Sequence, residues 1–244
     1  MMKPCVESAG AHIESRSPAM HAALEDIAKV ANNDISVLFS GESGSGKSTL
    51  ARALHAMSPR RAGPLISVDC QGLQHEAPIS ARLFFERLTK ATGGTVVLEE
   101  VGCLPRQLQA AIASLLEQHH AGKRTLDVRI VATSHRDLDR VVRESRFSAD
   151  LLIQLKTIEI RVPPLRARRE DILPLARALL ETFTSGAGRM IAPRAERALL
   201  VYPWPGNIHE LRNVMQRAVI LAPSAELDLD ALPPKLLAAP DPSN

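Results

Sequence analysis

The amino-acid sequence predicts an α/β protein in which a five-stranded parallel sheet carries helices on both faces and precedes a smaller helical unit. Three observations lead to this prediction. Short apolar segments with strand character alternate with segments whose apolar residues recur at helical spacing. A glycine-rich loop of spacing G-x-x-x-x-G-K-S stands between the first strand and a helix. After Pro163 and Pro164 the apolar pattern becomes entirely helical.

The five predicted strands are short and mainly apolar, with charged residues only in the fourth and fifth, which is typical of strands in a parallel sheet that is covered on both faces. They span 35–40, 65–68, 95–98, 128–133 and 158–162. The helices predicted around them begin at Pro18, where Ser17 is a suitable N-cap, and continue at 50–57, 78–90 and 105–119. This alternation indicates a sheet that is covered by helices on both sides.

The loop at 41–49 has the composition of a phosphate-binding loop. Its glycines let the backbone curl with N–H groups pointing inward, and the next helix presents its positive end to an anion. The lysine places a positive charge near the β- and γ-phosphates, and the serine after it offers a hydroxyl to Mg²⁺. The nucleotide-binding residues predicted here are Gly41, Glu42, Ser43, Gly44, Ser45, Gly46, Lys47, Ser48 and Thr49.

Two carboxylates, Glu99 and Glu100, end the third predicted strand, which starts after a turn at Gly93 and Gly94. In nucleotide hydrolysis one acid holds Mg²⁺, and a second orients or deprotonates the attacking water. We therefore expect Glu99 and Ser48 to bind Mg²⁺ and Glu100 to be the catalytic carboxylate. Gly93 and Gly94 are also predicted to belong to the nucleotide site. A glutamate pair by itself is equally typical of a solvated turn.

Composition excludes several other classes of protein. The 30 Lys and Arg residues exceed the 27 Asp and Glu residues too slightly to suggest nucleic-acid or anionic-membrane binding. Cys5, Cys70 and Cys103 lie far apart and predict free thiols in a reducing compartment. No apolar segment approaches the roughly 20 residues of a membrane helix, and no signal-peptide pattern opens the chain. We expect a cytoplasmic protein.

Four segments follow from these patterns. We predict a flexible N-terminus at 1–16, a nucleotide-binding α/β unit at 17–164, a lid of three helices at 165–222, and a Pro-rich tail at 223–244 that is disordered. The three lid helices are predicted at 171–184, 193–201 and 207–221.

Four motifs then appear in a fixed order: G-E-S-G-S-G-K at 41–47, G-G-T-V-V-L-E-E at 93–100, P-P-L-R at 163–166 and W-P-G-N-I-H-E-L-R-N at 204–213. From about Ile13 to Leu221 the chain resembles the central AAA+ domain of bacterial enhancer-binding proteins, the ATPases that remodel sigma-54 RNA polymerase. The resemblance implies a P-loop AAA+ fold with ATP and Mg²⁺ between the sheet unit and the lid. It also implies a ring that hydrolyses ATP at subunit interfaces.

Several positions depart from the pattern of that family. The magnesium-binding acid, usually Asp, is Glu99; the Thr-Asn sensor falls on Ser134 and His135; and the lid arginine falls on His209. The two arginines that the family offers to a neighbouring subunit are replaced by Ser148 and Gln154.

An arginine of this trans-acting kind is worth roughly 10³–10⁵ in rate. The resemblance therefore implies a domain that binds ATP but hydrolyses it poorly.

The family's output elements are also missing from the sequence. Between Val68 and Thr95 there is no G-A-F-T-G-A loop, which in the family contacts the sigma factor. The chain carries neither a receiver domain before Ile13 nor a DNA-binding helix pair after the lid. We therefore expect no direct sigma-54 contact and no DNA or membrane binding by this chain. The expected partner is a second copy or a related AAA+ subunit.

Three functional hypotheses remain open at this point. The first is a nucleotide-binding module that regulates transcription through protein partners and has impaired hydrolysis. The second is a competent ring ATPase, which the intact Lys47, Ser48 and Glu100 favour. The third is a decayed fragment without activity. We favour the first because the substitutions affect hydrolysis and output but leave the phosphate loop complete.

Overall fold

The computed structural model describes residues 5–8, 11–75, 77–120, 126–186, 188–222 and 226–237. The strands in these residues are β1 Cys5–Ser8, β2 Ala11–Glu14, β3 Val37–Ser40, β4 Leu65–Asp69, β5 Thr95–Glu99, β6 Arg129–Ser134, β7 Ile158–Arg161, β8 Met190–Ile191 and β9 Glu226–Leu227. The α-helices are α1 Pro18–Ala31, α2 Lys47–Met57, α3 Ala77–Lys90, α4 Arg106–His120, α5 Leu138–Arg143, α6 Ala149–Leu155, α7 Ile172–Phe183, α8 Pro193–Val201, α9 Asn207–Leu221 and α10 Pro234–Leu237.

The central sheet contains five parallel strands in the order β4-β5-β6-β3-β7. Strand β3, which leads into the phosphate loop, therefore lies between β6 and β7. Because the strands are parallel, all their carboxyl ends meet at one edge of the sheet. This confirms the predicted sheet. Among the described residues, no helix is long and apolar enough to cross a bilayer.

Side chains that alternate along the strands supply two separate cores. Val37 and Phe39 of β3 pack with α1 and α2 on one face of the sheet. Leu38 points to the opposite face and packs with α3, α4, α5 and α6. Val97 of β5 lies on the first face, while its neighbours Val96 and Leu98 lie on the second. Successive side chains along a strand face opposite sides of the sheet, and both sides are buried here. Strands β3 and β5 therefore need apolar residues at successive positions.

Helices α5 and α6 were not predicted from the sequence. They contain only six and seven residues, which is too short for a helical period to be recognised. Both begin with a side-chain cap: Asp137 accepts from the Arg140 N–H, and Ser148 accepts from the Leu151 N–H. Three leucines of α6 are buried against the second core, namely Leu151, Leu152 and Leu155.

The N-terminal segment has more structure than the predicted flexible 1–16. Strands β1 and β2 pair antiparallel. The residues after them are tied to the lid: the buried Ser15 donates its hydroxyl to Asp171 at 2.6 Å, and the backbone N–H of the exposed Arg16 donates to the same carboxylate at 2.7 Å. The partner lies 155 or more positions away in the sequence, so a local pattern could not have revealed it. Residues 1–4 and 9–10 lie outside the described part.

The lid contains the three predicted helices, α7, α8 and α9, but it does not end at residue 222. Strand β9 pairs parallel with β8. The residues that follow place Leu227, Leu232 and Leu236 in the lid's hydrophobic core. The prediction of a disordered tail from 223 is therefore wrong up to Leu237, because these leucines are buried by α7, α8 and α9. Residues 223–225 and 238–244 lie outside the description.

Two neighbouring leucines of α10 test this correction. Leu236 is 2% exposed and Leu237 is 51% exposed. Leu236→Ala should lower the free energy of unfolding by about 2–5 kcal/mol, because it leaves a cavity in the lid core. Leu237→Ala, the matched control, should change it by less than about 0.5 kcal/mol. Chemical denaturation of the two variants measures the difference, and equal midpoints would show that α10 does not pack as described.

Candidate nucleotide-binding site

The glycine-rich loop lies at the carboxyl end of β3 and leads directly into α2. Gly41, Gly44 and Gly46 all have positive φ angles, of 150°, 74° and 103°. A Cβ atom on Gly44 would lie 2.5 Å from the Gly206 carbonyl oxygen of the lid. At this position the chain therefore requires glycine for its backbone conformation and for close packing of the lid.

Lys47 lies inside this loop and is almost fully buried. Its ammonium group donates to the carbonyl oxygens of Gly41 at 2.9 Å and Glu42 at 3.0 Å. It also lies 3.5 Å from the Glu100 carboxylate. Burial lowers the pKa of Lys47, and the charge of Glu100 opposes that shift. The positive charge is thus held at the centre of the loop, where an anion would be bound.

The structure brings Glu100 together with the predicted sensor residue His135. Glu100 has a left-handed backbone conformation, with φ 54°. Its N–H donates to the Thr133 hydroxyl at 3.2 Å, and its carboxylate accepts from the His135 N–H at 3.0 Å. The His135 ring nitrogen Nδ1 also contacts this carboxylate. The carboxylate therefore has fixed partners on two sides, Lys47 and His135.

The predicted magnesium ligands lie at the same edge of the sheet. Glu99 is the last residue of β5, and Ser48 is in the first turn of α2. In the strand register Asp69 of β4 is the neighbour of Glu99. The described residues contain no cluster of three or more metal-ligating side chains. Ser48 and Glu99 stay a predicted pair of magnesium ligands. Asp69 is an adjacent carboxylate that was not predicted from the sequence.

Gly93 and Gly94 do not belong to this site. They precede β5 and lie at its amino end, whereas the phosphate loop follows the carboxyl end of β3. Since the sheet is parallel, these are opposite edges. A Cβ atom on Gly94 would lie 1.9 Å from the Pro64 carbonyl oxygen, so the glycine permits close packing there. Their predicted assignment to the nucleotide site is corrected on this ground.

Three of the positions that replace the family's sensor and arginines carry the uncharged side chains Ser134, Ser148 and Gln154. Ser134 is buried, and its hydroxyl donates to the Arg136 carbonyl oxygen at 3.0 Å. Ser148 is the N-cap of α6, and the buried Gln154 Oε1 has no partner among the described atoms. His209 is exposed beside Gly44.

Asn207, which sequence reasoning did not single out, connects the lid to the phosphate loop. It is fully buried and has a positive φ of 54°. Its Oδ1 accepts from the Leu165 N–H at 2.7 Å, and its Nδ2 donates to Ser43 O at 2.9 Å and to the Glu42 carboxylate at 3.1 Å. The next residue, Ile208, donates its N–H to Gly44 O at 3.0 Å. The start of α9 is thus hydrogen-bonded to the loop.

Glu42 forms a second link between the loop and the lid. Arg166 donates to both of its carboxylate oxygens, at 2.8 Å and 2.5 Å. The hydrogen bonds from Arg166 and then Asn207 lower the pKa of Glu42 to about 2. A two-pronged guanidinium–carboxylate pair of this kind fixes orientation as well as distance.

A cavity of about 210 Å³ opens beyond the loop, between the sheet unit and the lid. Its lining residues are Ser15, Met20, Ser45, Gly46, Thr49, Leu50, Arg168, Asp171, Leu175 and Ile208. Two buried polar atoms in these residues, Ser45 Oγ and Arg168 Nε, have no hydrogen-bond partner. A glycine loop around a buried lysine, with an apolar cavity beside it, fits a nucleotide that has its phosphates in the loop.

The Glu42 link generates a prediction about pH. Because the pKa of Glu42 is below its ordinary value of 4.5, the ionised group stabilises the folded protein above that pH. This contribution disappears as the pH falls from about 4.5 towards about 2. The difference in free energy of unfolding between wild type and Glu42→Gln should be constant above pH 5 and shrink below it. Glu42 is partly exposed, so the difference should stay below about 1 kcal/mol. Arg166→Gln should give the same pH dependence, and a difference that persists to pH 2 would exclude the ion pair as its source.

Comparison with known proteins agrees with this geometry. A family model described as "Sigma-54 interaction domain" matches residues 15–165, and one described as "AAA+ ATPase lid domain" matches residues 166–244. The alginate biosynthesis transcriptional regulatory protein AlgB of Pseudomonas aeruginosa is 38% identical over 250 residues, which cover 93% of this chain and 56% of AlgB. The regulatory protein AtoC of Escherichia coli is 39% identical over 248 residues, which cover 92% of this chain and 54% of AtoC.

A solved structure gives the same result. NtrX from Brucella abortus in complex with ATP superposes with a TM-score of 0.81 at 32% identity, covering 94% of this chain and 57% of NtrX. The chain spans about half the length of the curated relatives it matches. The family match extends over more than half of the chain, and it coincides with the sheet unit that carries the phosphate loop. The chain therefore belongs to the sigma-54 interaction domain family of AAA+ proteins.

Proposed function

We propose that this chain is an ATP-binding AAA+ domain of a bacterial transcription regulator, with weak hydrolysis of its own, that acts through protein partners. One observation carries the proposal: the phosphate loop is complete and packed against the lid, while Ser148 and Gln154 place no cation on α6. Regulatory relatives such as AlgB and AtoC support the assignment to transcription.

ATP is the nucleotide that best suits this site. The loop residues Gly41 to Thr49 would hold the phosphates through backbone N–H groups and Lys47. Ser48 and Glu99 would hold Mg²⁺, which in such sites neutralises charge on the phosphate oxygens. The complex of NtrX with ATP, at 32% identity, supports this choice.

Hydrolysis is expected to be weak for two reasons. The Glu100 carboxylate accepts from the His135 N–H and lies 3.5 Å from Lys47, so these two groups compete with water for the carboxylate. In addition, a neutral serine and a neutral glutamine stand where the family presents its two arginines. Charge that develops on the transferring phosphoryl group would then lack a stabilising cation from the adjacent subunit.

The proposed partners are a second copy of the chain or a related AAA+ subunit. A neighbouring subunit that retains these arginines could supply one to the nucleotide site of this chain, whereas this chain would supply none to the site of its neighbour. Direct remodelling of sigma-54 polymerase is not part of the proposal, because the sequence between β4 and β5 contains no G-A-F-T-G-A loop. Open-complex formation by this chain alone on a sigma-54 promoter would contradict that part.

A competent ring ATPase is the second candidate function. The observation that favours it is that Lys47, Ser48 and Glu100, the groups expected to act on the phosphates, Mg²⁺ and water, are all retained. Turnover measured on the purified chain separates the two candidates, because a competent enzyme reaches about 1 s⁻¹ or more.

Nucleotide binding is tested by one substitution and a matched control. Lys47→Ala should abolish binding of Mg-ATP, since it removes the charge at the centre of the loop. Arg52→Ala, at an exposed position of the same helix, should leave binding unchanged. Wild type should gain about 2.7 kcal/mol of stability at a hundredfold excess of ligand over Kd, measured as a rise in Tm. If millimolar Mg-ATP does not move the Tm of wild type, the proposed function is wrong.

Impaired hydrolysis is tested by restoring the missing charges. Ser148→Arg with Gln154→Arg should raise ATP turnover about tenfold or more, because an arginine finger contributes roughly 10³–10⁵ when well placed. The Kd for ATP should stay within a few-fold of wild type. The control is Ser114→Arg with Gln118→Arg, which adds the same two charges to α4 and should not change turnover. A restored variant as slow as wild type would locate the defect at Glu99, His135, His209 or ring assembly.

A further inference from the structure

Arg168 is a buried arginine whose surroundings in the protein do not satisfy it. It lies at the entrance to the lid, between β7 and α7, and only 4% of its surface is exposed. One terminal nitrogen donates to Ser45 O at 2.5 Å, and the other contacts the Met20 sulfur at 3.4 Å. The third nitrogen, Nε, is buried and has no hydrogen-bond partner within the part of the chain that the structure describes.

Burial of this guanidinium is costly. Neither of its contacts within the described residues is a carboxylate, and burial lowers the pKa of Arg168. The nearby Asp171 carboxylate is already occupied by the Ser15 hydroxyl and the Arg16 N–H. A buried donor left without a partner costs about 1–3 kcal/mol, and more for a charged group. Such a group is expected where a ligand completes its hydrogen bonding.

Arg168 also lines the 210 Å³ cavity beside the phosphate loop. The same cavity is bounded by the start of α2, at Gly46 and Thr49, and therefore adjoins the site proposed for the phosphates. Its remaining walls include four apolar side chains from α1, α2 and the lid: Met20, Leu50, Leu175 and Ile208. An apolar cavity with one directional donor suits a flat heteroaromatic ring that carries an acceptor atom.

We propose that Arg168 is a specificity-determining residue that recognises the base of the nucleotide by donating its Nε–H to a ring nitrogen of a purine. This inference rests on the proposed nucleotide binding. Both adenine and guanine have ring nitrogens that accept hydrogen bonds. This hydrogen bond adds affinity for a nucleotide over the phosphate chain alone. A pyrimidine ring also carries an acceptor nitrogen, so the expected preference for ATP over CTP rests on the larger two-ring base reaching Arg168 across the cavity, and the bond does not itself separate ATP from GTP.

The experiment measures Kd by calorimetry for ATP, CTP and tripolyphosphate with wild type, Arg168→Met and the exposed neighbour control Arg169→Met. Wild type should bind ATP more tightly than CTP. Arg168→Met should weaken ATP binding about 10- to 100-fold, the range for a hydrogen bond from a charged donor. Tripolyphosphate binding should stay within threefold, and Arg169→Met should match wild type for all three ligands.

A second measurement uses the wild-type protein and does not depend on the folding of a variant. The 7-deaza, 3-deaza and 1-deaza analogues of ATP each replace one ring nitrogen by carbon. One of them should bind wild type about tenfold more weakly than ATP, and Arg168→Lys should lose that difference.

The outcomes separate two failures. If wild type binds neither ATP nor tripolyphosphate, the proposed function fails. If it binds both but all three analogues equal ATP, or Arg168→Met weakens ATP and tripolyphosphate equally, Arg168 only supports the loop and the inference is overturned.

Discussion

Hydrogen bonds to the carbonyl groups of the phosphate loop are the interaction on which the rest of the site depends. Four consecutive carbonyl oxygens have donors: Gly41 and Glu42 from Lys47, Ser43 from Asn207 and Gly44 from the Ile208 N–H. With the carbonyls fixed in this way, the backbone amides of the curled loop can face an anion. Lys47 belongs to helix α2 of the sheet unit, whereas Asn207 and Ile208 belong to the lid, so the loop is shaped by both parts of the chain.

The phosphate loop and the positions of the family's two arginines lie on different elements, so substitutions can impair ATP hydrolysis without affecting the loop. The loop proposed to hold phosphate lies within one chain, between β3 and α2, and contacts the first turn of α9. The two positions that replace the family's arginines lie on α6 and at its Ser148 cap, and α6 is packed by buried leucines. Replacing two arginines there leaves the core and the loop intact. Selection on hydrolysis would therefore act on different residues from selection on folding.

The sequence was sufficient to predict the five strands, the three main lid helices and the place of the glycine-rich loop between β3 and α2, because these follow from periodicity and from a short motif. Four features could not be predicted correctly in this way. Helices α5 and α6 were too short to show a period, and Asn207 and Arg168 act through partners more than 120 positions away. Gly93 and Gly94 were predicted to belong to the nucleotide site because they precede the strand that ends in Glu99 and Glu100, but the parallel topology puts them at the other edge of the sheet. Proline content suggested a disordered tail, but leucines between the prolines are buried.

The packing of α10 onto the lid has a practical consequence for any shortened version of this chain. A boundary placed after α9, where the helical pattern ends, would remove Leu227, Leu232 and Leu236 and uncover the apolar surfaces of α8 and α9 that they now cover. It would also remove Lys235, which contacts the Glu210 carboxylate that accepts from the Gly206 N–H just before Asn207. Exposed apolar surface of this extent promotes self-association. Aggregation of such a fragment would resemble oligomer formation, and a failure to bind nucleotide that came from the missing segment would resemble a defective phosphate loop.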